Sequence, residues 1–199
     1  HSQEGYADSE AGNADDTVVG VGEQLKKVLE EKYHVAVCHD LSVYDMQDAK
    51  EDRNKAYSQA AVAVQNLLDE HPSIEVTIDL HRDGVPDNVH LETEINGKKT
   101  AKIMFLNGLC RNSNGDVNDF AQNPNLSDNL AFSLQLQLKA KAYFPELVRH
   151  IYLRAYRYNL HFKPRSLLVE VGAQNNTVAE AKNAMEPLAD ILYAVLSGK

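Results

Sequence analysis

Cysteine is scarce in this chain. Its 199 residues contain two, Cys38 and Cys110, far apart and in no CxxC pair. That spacing excludes a zinc ribbon and a thioredoxin-type redox motif. Cys38, at the end of Val35-Ala36-Val37-Cys38, is expected as a small buried thiol on a short strand. No apolar run is long enough to span a bilayer. No GxSxG elbow occurs, which removes the serine chemistry of α/β-hydrolases. Gly20-Val21-Gly22 lacks the third glycine and the preceding strand of a dinucleotide fingerprint. There is no internal repeat and no low-complexity tract. Positive charge is also short: 20 Lys and Arg stand against 29 Asp and Glu, a net charge of -9. That balance argues against a general nucleic-acid-binding surface.

What is present reads as an ordinary globular protein. Hydrophobic residues make up 43% and charged residues 25%, and the length suits one domain, 1–199, with a sizeable core. Residues 5–16 form a polar loop. The pattern then predicts a helix from Thr17 to about Lys32, a short strand over 35–38, and a helix from Met46 to Glu70 stopped by Pro72. A strand over 74–80 follows. Residues 89–106 predict a hairpin around Asn96-Gly97. The Asn-rich segment 107–125 is a long loop, more often functional than filler. Helices are expected over 128–143, from Pro145 to about Tyr158, and from Thr177 to about Leu196, with a buried strand at 166–171 between the last two. Strands alternating with helices indicate an α/β fold: a three-layer domain with a mixed, mostly parallel central sheet.

The most informative stretch is Ile74-Glu75-Val76-Thr77-Ile78-Asp79-Leu80-His81-Arg82-Asp83-Gly84. An apolar run ends in a histidine at the carboxyl edge of the sheet, where open α/β folds place ligands. A second run, Leu167-Leu168-Val169-Glu170-Val171-Gly172, sets a carboxylate inside an apolar strand, which is expensive unless paired, metal-near or protonated. Alternation puts Val169 and Val171 on one face and Glu170 with Leu168 on the other. The chain also opens with His1-x-x-Glu4. Two histidines and two glutamates are the ingredients of a zinc hydrolase: three ligands, an open position and a general base. The remaining histidines lack a partner spacing and read as surface or structural.

Six segments occur in order: His1-Ser2-Gln3-Glu4-Gly5-Tyr6, Ile78 to Asp83, Met104-Phe105-Leu106, Asn123-Pro124-Asn125, Phe144-Pro145-Glu146-Leu147, and Leu168 to Thr177. With them the chain resembles the stage II sporulation protein P family, peptidoglycan hydrolases of spore-forming Gram-positive bacteria. That family is similar to the zinc-dependent N-acetylmuramoyl-L-alanine amidases and, more distantly, to the zinc carboxypeptidases. The resemblance implies Zn2+ held by His1, Glu4 and His81, with Glu170 as general base and later acid. It implies a membrane-anchored, extracytoplasmic protein between the mother-cell and forespore membranes. There it would act on peptidoglycan with the stage II sporulation protein D transglycosylase during engulfment. Arg82 is the candidate for holding a substrate carboxylate or the oxyanion. Asn123, Asn125 and Asn175 are the candidate substrate contacts, since amides both donate and accept. Two parts of the family pattern, the apolar strand before His-x-x-Glu and the membrane anchor, are missing from these residues. His1 and Glu4 are therefore expected to fray and zinc to be held weakly. A zinc carboxypeptidase, a crosslink endopeptidase and a non-catalytic wall-binding or partner-docking module stay open beside the amidase.

Overall fold

The structure, a computed structural model, describes residues 4–44, 46–47, 50–51, 53–112, 114–119 and 121–199. Local chemistry sets the first long helix. Thr17 caps α1 (Val18–Tyr33) by accepting from the Val19 N–H, and the chain leaves it through His34 in the left-handed region. Val18, Val21, Leu25 and Leu29 recur at helical spacing and are buried.

Downstream come β1 (Met46–Gln47), β2 (Lys50–Glu51), α2 (Arg53–Glu70), β3 (Val76–Asp83), β4 (Glu92–Ile95), β5 (Lys98–Ala101), β6 (Ile103–Gly108), α3 (Leu126–Tyr143), β7 (Tyr152–Arg154), β8 (Arg165–Ala173), α4 (Val178–Asn183) and α5 (Met185–Leu196). The central sheet has the strand order β3-β8-β6-β7 among the described residues. β3 and β8 run parallel, as do β6 and β7, while β6 and β8 are antiparallel. The sheet is thus mixed and mostly parallel, as expected.

Alternation sorts the two faces. Leu167, Val169 and Val171 of β8 and Ile103 and Phe105 of β6 pack into the main core with α1, α3 and α5. Each such fully buried side chain contributes about 1.5–3 kcal/mol. Leu168 and Leu106 point to the opposite face, where they meet Leu160 and Tyr158. There Tyr158 meets Tyr57 of α2 edge-on at 5.6 Å, and the Asn159 side chain donates to the Tyr57 carbonyl at 2.7 Å. Helices therefore cover both faces, giving three layers. The pairing register sets His81 beside Glu170, and Glu170 beside Met104. That row lies on the second face, with Leu168.

Several expected elements differ. The helix expected from Met46 begins at Arg53, and Met46–Gln47 pair antiparallel with Lys50–Glu51 as β1 and β2 instead. Asp45, Asp48, Ala49 and Asp52 lie outside the described residues. Residues 35–38 form no strand. Val35 and Val37 do pack on the main core in the expected alternation, but no strand pairs with them among the described residues, and alternation without a ladder is not a strand. Cys38 is exposed, Cys110 is buried, and both are free thiols, which corrects the reading of Cys38 as buried.

The helix expected from Pro145 is absent. Its backbone is claimed by the sheet: Ile103 N–H donates to the Leu147 carbonyl, Arg149 N–H to that of Ile103, and residues 152–154 become β7. The last helix divides at Ala184 into α4 and α5. The Asn96-Gly97 turn forms with both residues at positive φ, but it joins only β4 to β5, and the returning strand passes into the central sheet as β6. No helix among the described residues is long and apolar enough to cross a membrane.

Candidate metal centre

His81 belongs to β3 itself, which continues past the apolar run to Asp83. It is 5% exposed. Its Nδ1 lies 3.9 Å from Glu4 Oε2, and its Nε2 lies 2.9 Å from Asp79 Oδ1. Burial disfavours the imidazolium, but the Asp79 carboxylate 2.9 Å away, with the carboxylates of Glu170 and Glu4, outweighs it and lifts His81 to about 9.

Glu4 is tied down rather than frayed. Its carbonyl accepts from the Val18 N–H at 3.1 Å, and Gly5 bridges to Thr17. The buried Tyr6 hydroxyl donates to the Val171 carbonyl at 3.1 Å, and Ala7 N–H donates to the Asn176 carbonyl at 2.9 Å. The segment carrying Glu4 is thus sewn to β8 beside Glu170. Burial raises the Tyr6 hydroxyl well above the usual phenol range, so it stays a neutral donor. His1 lies outside the described residues.

Glu170 stands next to His81 across the β3/β8 pair. Its Oε2 is buried and has no hydrogen-bond partner among the described residues. Burial pushes the carboxyl up to about 7. The His81 charge works against that rise, while Asp83, Glu4 and Asp79 add to it. A carboxyl near neutrality can both take and return a proton.

One residue beyond, the pairing slips between His81 and Asp83. Gly172 sits at this bulge with φ +59°, and a Cβ there would meet Asn176 Oδ1 at 2.6 Å. Glycine is required there by both conformation and space. Bulges of this kind re-aim side chains beside a site.

The donor set matches what zinc requires. Two ligands on a tetrahedral zinc at bond lengths of about 2.1 Å lie about 3.4 Å apart. The Glu4–His81 separation of 3.9 Å is close to that. A buried, partnerless carboxylate oxygen beside them fits a base that faces reactants rather than protein. Imidazole and carboxylate are suitable zinc donors, so Glu4 and His81 fit the group.

Arg82 is placed differently. Its charge acts on the Tyr6 hydroxyl, its Nη1 reaches the Asp83 carbonyl at 3.4 Å, and its buried Nε has no partner among the described residues. The three asparagines are not brought together. Asn123 donates to Asn129, and Asn125 donates to the His161 carbonyl. Asn129 in turn donates to the carbonyls of Lys163 and Pro164, just before β8 begins. From there to Glu170 the strand runs roughly 20 Å. Asn175 is on the near side, but its amide donates to the carbonyls of Pro86 and Val89. With Gln174, which exchanges hydrogen bonds with both backbone groups of Val85, it clamps the loop after β3.

Two residues went unread in the sequence. Asp79 had a signal, since it stands two before His81 and so shares its face. Tyr57 had none. It comes from α2, is driven up beyond the usual phenol range by burial, and feels the charges of Asp79, Glu170 and Glu4. A second group of possible ligands, His90, Glu92 and Glu180, lies apart from the expected set, its donor atoms within 4.8 Å of one another. Glu180 Oε2 there already accepts from His90 Nε2 at 2.8 Å, Asn176 Nδ2 at 2.8 Å and Thr177 N at 3.1 Å. Its geometry is that of a helix cap latched to a loop.

The architecture is that of the N-acetylmuramoyl-L-alanine amidases. The CwlD amidase of Clostridioides difficile, solved with the GerS lipoprotein, superimposes with a TM-score of 0.58 at 12% identity, over 100% of this chain and 96% of that one. An amidase of Mycobacterium smegmatis gives 0.52 at 13% identity, over 98% and 80%. One of Nostoc punctiforme gives 0.52 at 15%, over 98% and 93%. No curated protein sequence matches significantly. The chain belongs to the stage II sporulation protein P family, whose description it matches over residues 1–193.

Proposed function

We propose that this protein is a zinc-dependent peptidoglycan hydrolase that cuts the amide between the muramic acid lactyl group and L-alanine during forespore engulfment. The observation that carries this is the juxtaposition of Glu4 Oε2 and His81 Nδ1 at 3.9 Å, with the partnerless Glu170 Oε2 on the adjoining strand. Family membership and the amidase fold support it. Glu4 and His81 would hold zinc, with His1 as the third ligand. Zinc there supplies Lewis-acid chemistry at neutral pH.

Glu170 Oε2 takes the proton of the attacking water and later returns it to the leaving amine nitrogen of L-alanine. Tyr6 and the Gly172 bulge fix the two carboxylates relative to each other. Arg82, with an unused buried Nε–H, holds a substrate carboxylate. The 199 residues act as one catalytic domain. An upstream segment anchors it outside the cytoplasmic membrane, and a stage II sporulation protein D-like transglycosylase works on the same wall.

Digestion of purified sacculi tests the reading. Mass spectrometry should show glycan strands separated from intact stem peptides with zinc-loaded protein, and none with chelated protein. Cleaved crosslinks or shortened stems would instead mark an endopeptidase or carboxypeptidase. Retention on sacculi without turnover would mark a wall-binding module.

A further inference from the structure

A zinc ligand must present one imidazole nitrogen with an available lone pair, and the two nitrogens of His81 face different groups. Nδ1 faces Glu4 Oε2 at 3.9 Å, and Nε2 lies 2.9 Å from Asp79 Oδ1, within hydrogen-bond range but with its N–H off the line to that oxygen. We propose that Asp79 is a positioning residue: when zinc is bound, its carboxylate accepts the Nε2 proton of His81 and holds the ring with the Nδ1 lone pair toward Glu4, the side on which the metal binds.

The backbone brings the two side chains to the same face. Asp79 and His81 are two apart on β3 and share its second face, their Cα atoms roughly 7 Å apart. Leu80, between them, points into the main core, so the strand cannot slip without exposing it. The other neutral tautomer would set a proton between Nδ1 and Glu4 and block the pair. A carboxylate on the outer nitrogen selects against it and raises the basicity of the inner one. The neighbouring acid, Asp83, is engaged by Arg149 at 2.7 Å instead. The Asp79 side chain is 40% exposed, so it is no core residue, and its contact with His81 is better explained by orientation than by packing.

This inference rests on the zinc reading above, and the test separates the two. Zinc affinity of the whole chain is measured by chelator competition for the parent, Asp79→Asn and Asp79→Ala. The zinc-loaded forms are then examined by imidazole nitrogen NMR, and the zinc-free forms by thermal melts. The expected result is a loss of about 10- to 100-fold in zinc affinity in both variants. The parent should show metal on Nδ1 and an exchange-protected Nε2 proton, and the variants should lose that protection with melting temperatures essentially unchanged. A parent that binds zinc as tightly as its variants do, or that carries the metal on Nε2, overturns the role of Asp79 and leaves the metal site standing. A parent that binds no zinc overturns the metal reading and this inference with it. A fall in melting temperature that matches the fall in affinity would make Asp79 merely structural, which also overturns it.

Discussion

Glu170→Gln separates function from stability, because the structure asks the two to move in opposite directions. The carboxyl is buried, its Oε2 has no partner, and it is held at about 7 against a usual value of 4.5. At 1.36 kcal/mol per pH unit that rise corresponds to about 3 kcal/mol of disfavoured charge. The sign follows from proton binding. Between these two values the folded protein holds a proton that the unfolded chain has lost, so stability is full below the usual value and falls as pH rises through about 7. Glutamine is nearly isosteric and carries no charge. In chelated protein at about pH 8 the variant should therefore be more stable, by roughly 2–3 kcal/mol, or about 4–12 °C for a chain of this size. At about pH 4 the advantage should vanish. Hydrolysis by the zinc-loaded variant should fall by about 10²- to 10⁴-fold, because the amide cannot take the proton. Paired melts at the two pH values and a muropeptide assay decide it. A variant no more stable than the parent at the higher pH refutes the burial argument. Undiminished turnover removes Glu170 from the mechanism.

Two other substitutions probe the frame around the site. Gly172→Ala forces a non-glycine residue to φ +59° and drives its Cβ against Asn176 Oδ1, which accepts from the Ala173 N–H at 2.9 Å. The cost should be roughly 3 kcal/mol, read by denaturant unfolding, and a variant within 1 kcal/mol of the parent would mean the bulge relaxes freely. Glu180→Gln weakens a capping box whose carboxylate is held below its usual range: burial opposes the shift, but hydrogen bonds from Asn176, His90 and Thr177 outweigh it. A lowered carboxyl stabilises above its usual value and loses that contribution as pH falls. The variant should therefore be less stable by roughly 1–2 kcal/mol at neutral pH, with the gap closing on acidification below about 4. A gap that stays constant with pH would show that shape, not charge, does the capping.

Local patterns in the sequence determined a good deal of this protein. Period-two alternation alone set Val169 and Val171 against Glu170. Thr17, Thr177 and Asn96-Gly97 marked helix starts and a turn, because caps and turns depend on residues within a few positions. These signals are short-range, so no partner needs to be known to read them. Where a segment's state depended on a distant partner, the reading went astray. Val35 and Val37 alternate like a strand, yet no ladder forms on them. Residues 145–158 look helical from Pro145 onward, yet Ile103 and β6 take their backbone.

The site divides the same way. His81 was legible as a histidine ending an apolar run, and Glu170 as a costly carboxylate inside one. That they stand side by side was decided by the β3/β8 register, which joins residues 89 positions apart. The tethering of Glu4 was decided by Tyr6 and Val171, and the reach of Asp79 to the outer nitrogen of His81 by side-chain geometry on the assembled sheet. Asn123 and Asn125 looked available for substrate because their composition suits it. Tertiary structure committed their amides to internal partners, since a long loop can lie against the body of a protein only if its polar groups are satisfied there. Sequence fixes what each side chain can do and which way it points along its own element. Which charges meet, and which donors remain for a substrate, depends on contacts between elements far apart in the chain.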